Sequence, residues 1–220
     1  MRNAKSHPDQ HPAMIRNLAA GVQAFTSNAF LVSGEPRADA PPVTDAGDHG
    51  RRVLVDAGSN FDVVGRVREH VDGLDAVVLT HTHPDHVGNL ADVREAFDVE
   101  TWGFDTDRDE VDHELPDGGT VRMGSAEYEA LHTPGHKDDH LCLYSPGAGV
   151  LFAGDLIFGN GGFGRTDLAE GDRDALIDSI DRVGERVGED LREMHVGHGP
   201  SVLTDPRQDV ELAARSARMR

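Results

Sequence analysis

The segment His81-Thr82-His83-Pro84-Asp85-His86 constrains this chain more than any other feature. It places four potential metal ligands within six residues, directly after an apolar strand candidate at 75–80. Side chains alternate along a strand end, so His81 and His83 share a side and both imidazoles can reach one ion. Pro84 then turns the chain, and Asp85 and His86, at the start of the next helix, can face a neighbouring ion. This spacing suits two adjacent cations better than one.

Three further donors occur in similar settings. His136 lies in His132-Thr133-Pro134-Gly135-His136, Asp155 closes Leu151-Phe152-Ala153-Gly154-Asp155, and His198 sits in Gly197-His198-Gly199-Pro200. Each follows an apolar strand candidate and stands beside glycine. Such strand ends let side chains converge from separate parts of a sandwich while the backbone comes close to an ion or ligand.

The rest of the chain reads as mixed strands and helices. Residues 1–17 are polar and aperiodic, and are expected to form a flexible N-terminal arm, leaving 18–220 as one domain. Short apolar segments at 21–25 and 29–32 precede a Pro-, Ala- and Asp-rich stretch at 34–50, which reads as a surface loop. Strand, helix, strand, helix then follow over 53–97. Strand candidates at 120–123, 127–131, 141–144 and 150–152 precede a glycine-rich loop at 159–164. Leu176, Ile180 and Val183 outline a helix face behind Asp172 and Asp174. A last strand near 191–196 and a polar helix from about 207 complete an α/β sandwich with helices outside two sheets.

The ordered set HTHPDH, TPGH, AGD and GHG resembles the metallo-β-lactamase fold hydrolases, and the resemblance runs from about Phe25 to Pro200. It implies a four-layer αββα sandwich with mixed sheets. It also implies that His81, His83 and His136 hold one metal, that Asp85, His86 and His198 hold a second, and that Asp155 bridges them. Imidazole and carboxylate donors suit zinc, and also iron or manganese. Two such cations lower the pKa of a shared water, so that a metal-bound hydroxide serves as nucleophile, with Asp85 orienting it as the catalytic residue.

Within that superfamily the bridging aspartate is similar to the glyoxalase II group, which hydrolyses hydroxyacyl thioesters. Gly154-Asp155-Leu156-Ile157-Phe158 and Gly162-Phe163-Gly164-Arg165-Thr166-Asp167-Leu168 resemble its small single-domain members. A guanidinium fork beside the glycine-rich loop makes Arg165 a candidate grip for a substrate carboxylate, with a structural salt bridge as the alternative reading. Asp56, which matches the family pattern, is expected to hold the site's loops by hydrogen bonds. The turn Lys137-Asp138-Asp139-His140 departs from the common family pattern and is expected to be solvated. The long glyoxalase II enzymes carry a C-terminal helical domain with glutathione contacts, whereas this chain ends soon after His198, so glutathione is not implied as the carrier. β-Lactamases of the commonest class carry cysteine near the position of Asp155. Rivals are an iron-dependent persulfide dioxygenase using His81, His136 and Asp155, a two-metal nuclease, and a non-catalytic metal-binding module.

Composition narrows the partners. Acidic residues number 40 against 21 Lys and Arg, a net charge of −19, and Lys5 and Lys137 are the only lysines. That balance argues against a nucleic-acid partner and reads as a solvated surface, more specifically one adapted to concentrated salt. Cys142 stands alone, so neither an internal disulfide nor a cysteine-based zinc pattern is available. No run approaches the ~18 apolar residues of a membrane span, and no signal-peptide core is present. The expectation is a cytoplasmic enzyme acting on a small-molecule thioester, with no nucleic-acid or membrane partner.

Overall fold

Two runs of short apolar strands form two sheets in a computed structural model that describes residues 14–34 and 51–219. The first half contributes β1 (Met14–Asn17), β2 (Phe30–Ser33), β3 (Val53–Val55), α1 (Val63–Arg68) and β4 (Ala76–Val78). It continues with α2 (Pro84–Val87), α3 (Leu90–Phe97), β5 (Thr101–Gly103) and β6 (His113–Glu114). Its six strands lie in chain order, antiparallel from β1 to β3 and parallel from β3 to β6.

The second half contributes β7 (Thr120–Met123), β8 (Ala126–His132), β9 (Leu141–Ser145) and β10 (Val150–Gly154). After these come β11 (Ile157–Phe158), β12 (Gly162–Phe163), α4 (Arg173–Arg186), β13 (Glu193–Val196) and α5 (Pro206–Met219). The second sheet has the order β13-β10-β9-β8-β7, and β13 joins β10 in parallel. β11 and β12 form a separate small hairpin.

Strand periodicity assigns each apolar side chain to a layer. Phe30, Val32, Val53, Val55, Tyr128, Leu141, Leu143 and Phe152 fill the space between the sheets. Their alternates Leu31, Leu54, Val77 and Leu79 face outward against α1 and α3. Cys142, Tyr144, Leu151 and Ala153 face outward against α4 and α5. Every residue of β3, β4, β9 and β10 is buried, as expected for strands covered on both faces. Each such Val or Leu contributes about 1.5–3 kcal/mol by leaving water. The result is the expected αββα sandwich.

Several local expectations need correction. Met14–Asn17 is a strand and not part of an arm, because the backbone of β1 pairs with β2 and Ile15 packs on the inter-sheet core. The arm expected at 1–13 and the loop expected at 35–50 lie outside the described residues. Residues 21–25 form a turn and coil, leaving Phe25 75% exposed. β5 and β6 escaped the sequence pattern because each is only two or three residues long and is held by parallel pairing to its neighbour. Among the described residues no helix is long and apolar enough to cross a membrane.

Candidate metal centre

Five of the seven candidate ligands follow the C-terminal ends of strands, and the other two stand on the helix that comes next. β4 leads to His81 and His83, and α2 then carries Asp85 and His86. β8, β10 and β13 lead to His136, Asp155 and His198. The structure brings all seven together. His81 Nε2 lies 3.0 Å from His83 Nδ1, which lies 2.9 Å from His136 Nε2. His198 Nε2 lies 3.0 Å from Asp85 Oδ2. Between these groups, Asp155 places Oδ2 3.4 Å from His136 Nε2 and 3.5 Å from His198 Nε2, and Oδ1 3.5 Å from His86 Nε2. Three donor clusters of metal-binding dimensions result: His81, His83 and His136; His81, His86 and Asp155; and Asp85, His86 and His198.

Hydrogen-bond partners behind the imidazoles determine which nitrogen faces inward. His136 Nδ1 donates to the carbonyl of Arg165 at 2.8 Å, which leaves Nε2 with a lone pair. Thr80 gives its hydroxyl proton to Asp56 Oδ2 at 2.8 Å and so accepts from His81 Nδ1 at 3.1 Å. His86 Nδ1 meets the same Asp56 oxygen at 2.8 Å, and Asp56 Oδ1 accepts from the Thr80 amide at 2.8 Å. Asp56 thus orients two imidazoles from a left-handed backbone conformation at φ 56°.

The donor set fits a cation. Three imidazole nitrogens crowd together at hydrogen-bond distance, yet two of them carry only lone pairs, so the protons present cannot satisfy them all. His86 Nε2 and Asp155 Oδ1 are buried with no hydrogen-bond partner, an arrangement that is costly unless a cation completes it. Electrostatics agree. Burial opposes charge on His86, but Asp56 and Asp155 outweigh it and hold its pKa up at about 10, so the pocket itself demands positive charge. Burial and the neighbouring histidines push His81 well below its ordinary value and leave it a neutral donor. Burial alone would raise Asp155, yet His86 beside it and the other imidazoles bring it down to about 2.

Two glycines are required by this crowding. A Cβ at Gly197 would stand 1.9 Å from Asp155 Oδ1. Gly154 adopts φ 49°, and a Cβ there would lie 2.5 Å from His140 Nε2. His140 itself belongs to the site's support. It is fully buried, its Nε2 accepts from the Asp155 amide at 3.1 Å, and its Nδ1 meets Thr133 Oγ1 at 2.8 Å. Burial pushes its pKa down to about 3, so the ring stays neutral.

The expectation of a solvated turn at 137–140 is therefore corrected. Lys137, Asp139 and His140 are buried and only Asp138 is exposed, because partners distant in sequence cover the turn. No local signal in Lys-Asp-Asp-His reveals this. Arg165 reaches the centre through its main chain, while its exposed guanidinium forms two 2.7 Å hydrogen bonds with Asp167. Phe25 stacks against the His198 ring with centroids 5.9 Å apart and gives the mouth an apolar side. Cys142 points away among the outward-facing core residues, where burial raises its thiol to about 12.

An αββα sandwich whose strand-end loops build two adjoining His/Asp pockets defines a metallohydrolase-type centre. The profile of the metallo-beta-lactamase superfamily matches residues 43–202, and the chain belongs to that superfamily. It is 31% identical over 157 residues to hydroxyacylglutathione hydrolase GloC of Haemophilus influenzae, covering 60% of this chain and 73% of that protein. It is 33% identical over 144 residues to a hydroxyacylglutathione hydrolase of Xanthomonas euvesicatoria pv. vesicatoria, spanning 64% of this chain and only 54% of that longer protein. Among solved structures, TTHA1623 in a di-iron-bound form superposes with a TM-score of 0.65 and 28% identity, covering 86% of this chain and 92% of the other. The BLEG-1 B3 metallo-beta-lactamase gives 0.66 and 26%, covering 86% and 93%.

Proposed function

We propose that this protein is a metal-dependent hydrolase that cleaves hydroxyacyl thioesters, with zinc as its resident metal and iron or manganese as alternatives. The observation that carries the reading is Asp155, a single carboxylate spanning both pockets through its contacts with His86, His136 and His198. His81, His83 and His136 would hold one cation, and Asp85, His86 and His198 the other, with Asp155 shared. Bound there, two divalent cations supply Lewis acidity that lowers the pKa of a water and polarises a carbonyl.

The chain's own residues do the remainder. Asp85 is the catalytic residue: its Oδ2 meets His198, and its partly exposed carboxylate can accept a hydrogen bond from the attacking water and take its proton. Phe25, beside His198, offers an apolar surface to the substrate. Arg165 is the proposed carboxylate grip, exchanging its Asp167 partner for the substrate. A thiolate leaves without strong acid assistance because thiols are already fairly acidic.

The relatives named hydroxyacylglutathione hydrolase support a small-molecule thioester substrate. The shared aspartate, with no cysteine at the centre, favours thioesters over penicillins. The rival persulfide dioxygenase reading needs one iron on His81, His136 and Asp155. His198 and Asp85, 3.0 Å apart at the same centre, support a second cation and hydrolysis. The net charge of −19 supports a salt-adapted protein without a nucleic-acid partner.

Thiol release from lactoyl thioesters of several carriers, run beside oxygen uptake on a persulfide, tests the reading. Metal-dependent thiol release on at least one carrier is expected. Oxygen uptake on the persulfide, with no thiol released from any carrier, would overturn it.

A further inference from the structure

Lys137 is the only lysine among the described residues, and its side chain is just 4% exposed, whereas no arginine among the described residues is buried. Its ammonium lies 2.8 Å from Glu170 Oε2, 3.4 Å from Asp139 Oδ1 and 3.4 Å from Asp138 Oδ1. A compact ammonium with three donors suits three carboxylates arriving from different directions better than a planar guanidinium does. Asp139, equally buried, accepts from Thr82 Oγ1 at 2.6 Å through Oδ2. Glu170 Oε1 is held in turn by Arg108 Nη1 at 3.1 Å, and Arg108 also grips Asp138 at 2.8 Å.

The anchor points of this network are not scattered. Thr82 lies between His81 and His83, Lys137 directly follows His136, and Glu170 lies on the loop whose Arg165 carbonyl orients His136. All three donors of one pocket therefore stand on segments the network ties together, and none of its members belongs to the donor set itself. The other pocket, Asp85, His86 and His198, has no anchor point of this kind beside His86 or His198; His86 is oriented instead by Asp56.

We propose that the chain Thr82–Asp139–Lys137–Glu170 is a positioning network that sets the affinity of the three-histidine pocket selectively, without contacting the metal. The proposal rests on the metal-centre reading above. Partners hydrogen-bonded directly to metal ligands typically govern affinity by about tenfold to a hundredfold, and this network acts one step further out, through the segments that carry the ligands.

The test uses the full chain, stripped and titrated with Zn2+ or Co2+ against a chelator of known affinity, with circular dichroism to confirm folding. In a His198→Ala background, which weakens the second pocket, the remaining affinity reports on the three histidines. Thr82→Val removes only the hydroxyl donor and is nearly isosteric, while Lys137→Met removes the charge at similar length. Both are expected to weaken the three-histidine pocket by up to about tenfold, the low end for groups that touch ligands directly, and to leave the second pocket unchanged in the otherwise native chain. Asp139→Asn keeps an acceptor for Thr82 and is expected to lose less than Thr82→Val. Unchanged affinity in folded Thr82→Val and Lys137→Met, or equal weakening of both pockets, would overturn the network's role. Absence of tight metal binding in the unsubstituted protein would instead overturn the metal-centre reading, so the two failures are distinguishable.

Discussion

At the centre, chemistry depends on which atom each side chain has left to offer after its structural partners are served. His81, His86 and His136 each commit Nδ1 to Thr80, Asp56 or a carbonyl and present Nε2 inward. Asp85 differs, because it sits at the mouth with a carboxylate only partly engaged by His198. Asp85→Asn preserves shape and a neutral oxygen donor but cannot take a proton. The variant is expected to fold and retain metal while kcat falls by about 10²- to 10⁴-fold, read by steady-state kinetics beside elemental analysis. Arg165→Ala leaves intact the carbonyl that orients His136, so kcat and metal content should hold while KM rises several-fold for carboxylate-bearing thioesters. Loss of metal in Arg165→Ala would sink the substrate-grip assignment. The residues that converge at the candidate centre were legible in sequence because histidine and aspartate clustered at glycine-flanked strand ends. His140, Lys137 and Asp139 were not, since each acquires its role only from partners folded over it from other loops.

Among the elements, α4 shows how local signals and tertiary contacts coincide. Leu176, Ile180 and Val183 recur at helical spacing and are fully buried against the second sheet. Asp172 caps the helix, its carboxylate accepting from the amides of Asp174 at 2.9 Å and Ala175 at 3.0 Å. Its own amide donates to the Gly135 carbonyl at 2.8 Å, which joins the helix start to the turn carrying His136. Asp172→Ala is expected to cost about 1 kcal/mol, within a range of ~0.5–2 kcal/mol, measured as a shift in urea midpoint. No shift would mean that water replaces the cap. β5 and β6 lie at the other extreme. Two or three residues cannot display a period, and only the neighbouring parallel strand makes them strands.

For the whole molecule, charge is the governing quantity. A net −19 distributed over the described and remaining residues opposes compaction at low ionic strength. Several surface ion pairs, such as Arg182 with Asp117 at 2.7 Å, offset it locally and only modestly. Raising KCl from about 0.1 M to about 2 M shortens the Debye length from ~10 Å to a few ångströms. Thermal stability is expected to rise, each kcal/mol gained appearing as about 2–4 °C in Tm for a domain of this size. Equal Tm values at the two concentrations would show that the acidic surface carries no such adaptation.

The sequence by itself determined the layers and picked out the candidate donors. Strands buried on both faces must be continuously apolar, helices must show a 3.6-residue stripe, and metal ligands must be histidine and carboxylate at turning points. These are properties of residues near one another in the chain. The tertiary structure decided what no spacing encodes. β1 is a strand because β2 lies beside it, and Arg165 reaches the centre through a carbonyl because its guanidinium is turned to Asp167. Lys137 is buried because Glu170, 33 positions away, closes over it. Each outcome depends on a partner brought near by folding, and the energy of a buried charge or an extra strand exists only once that partner has arrived.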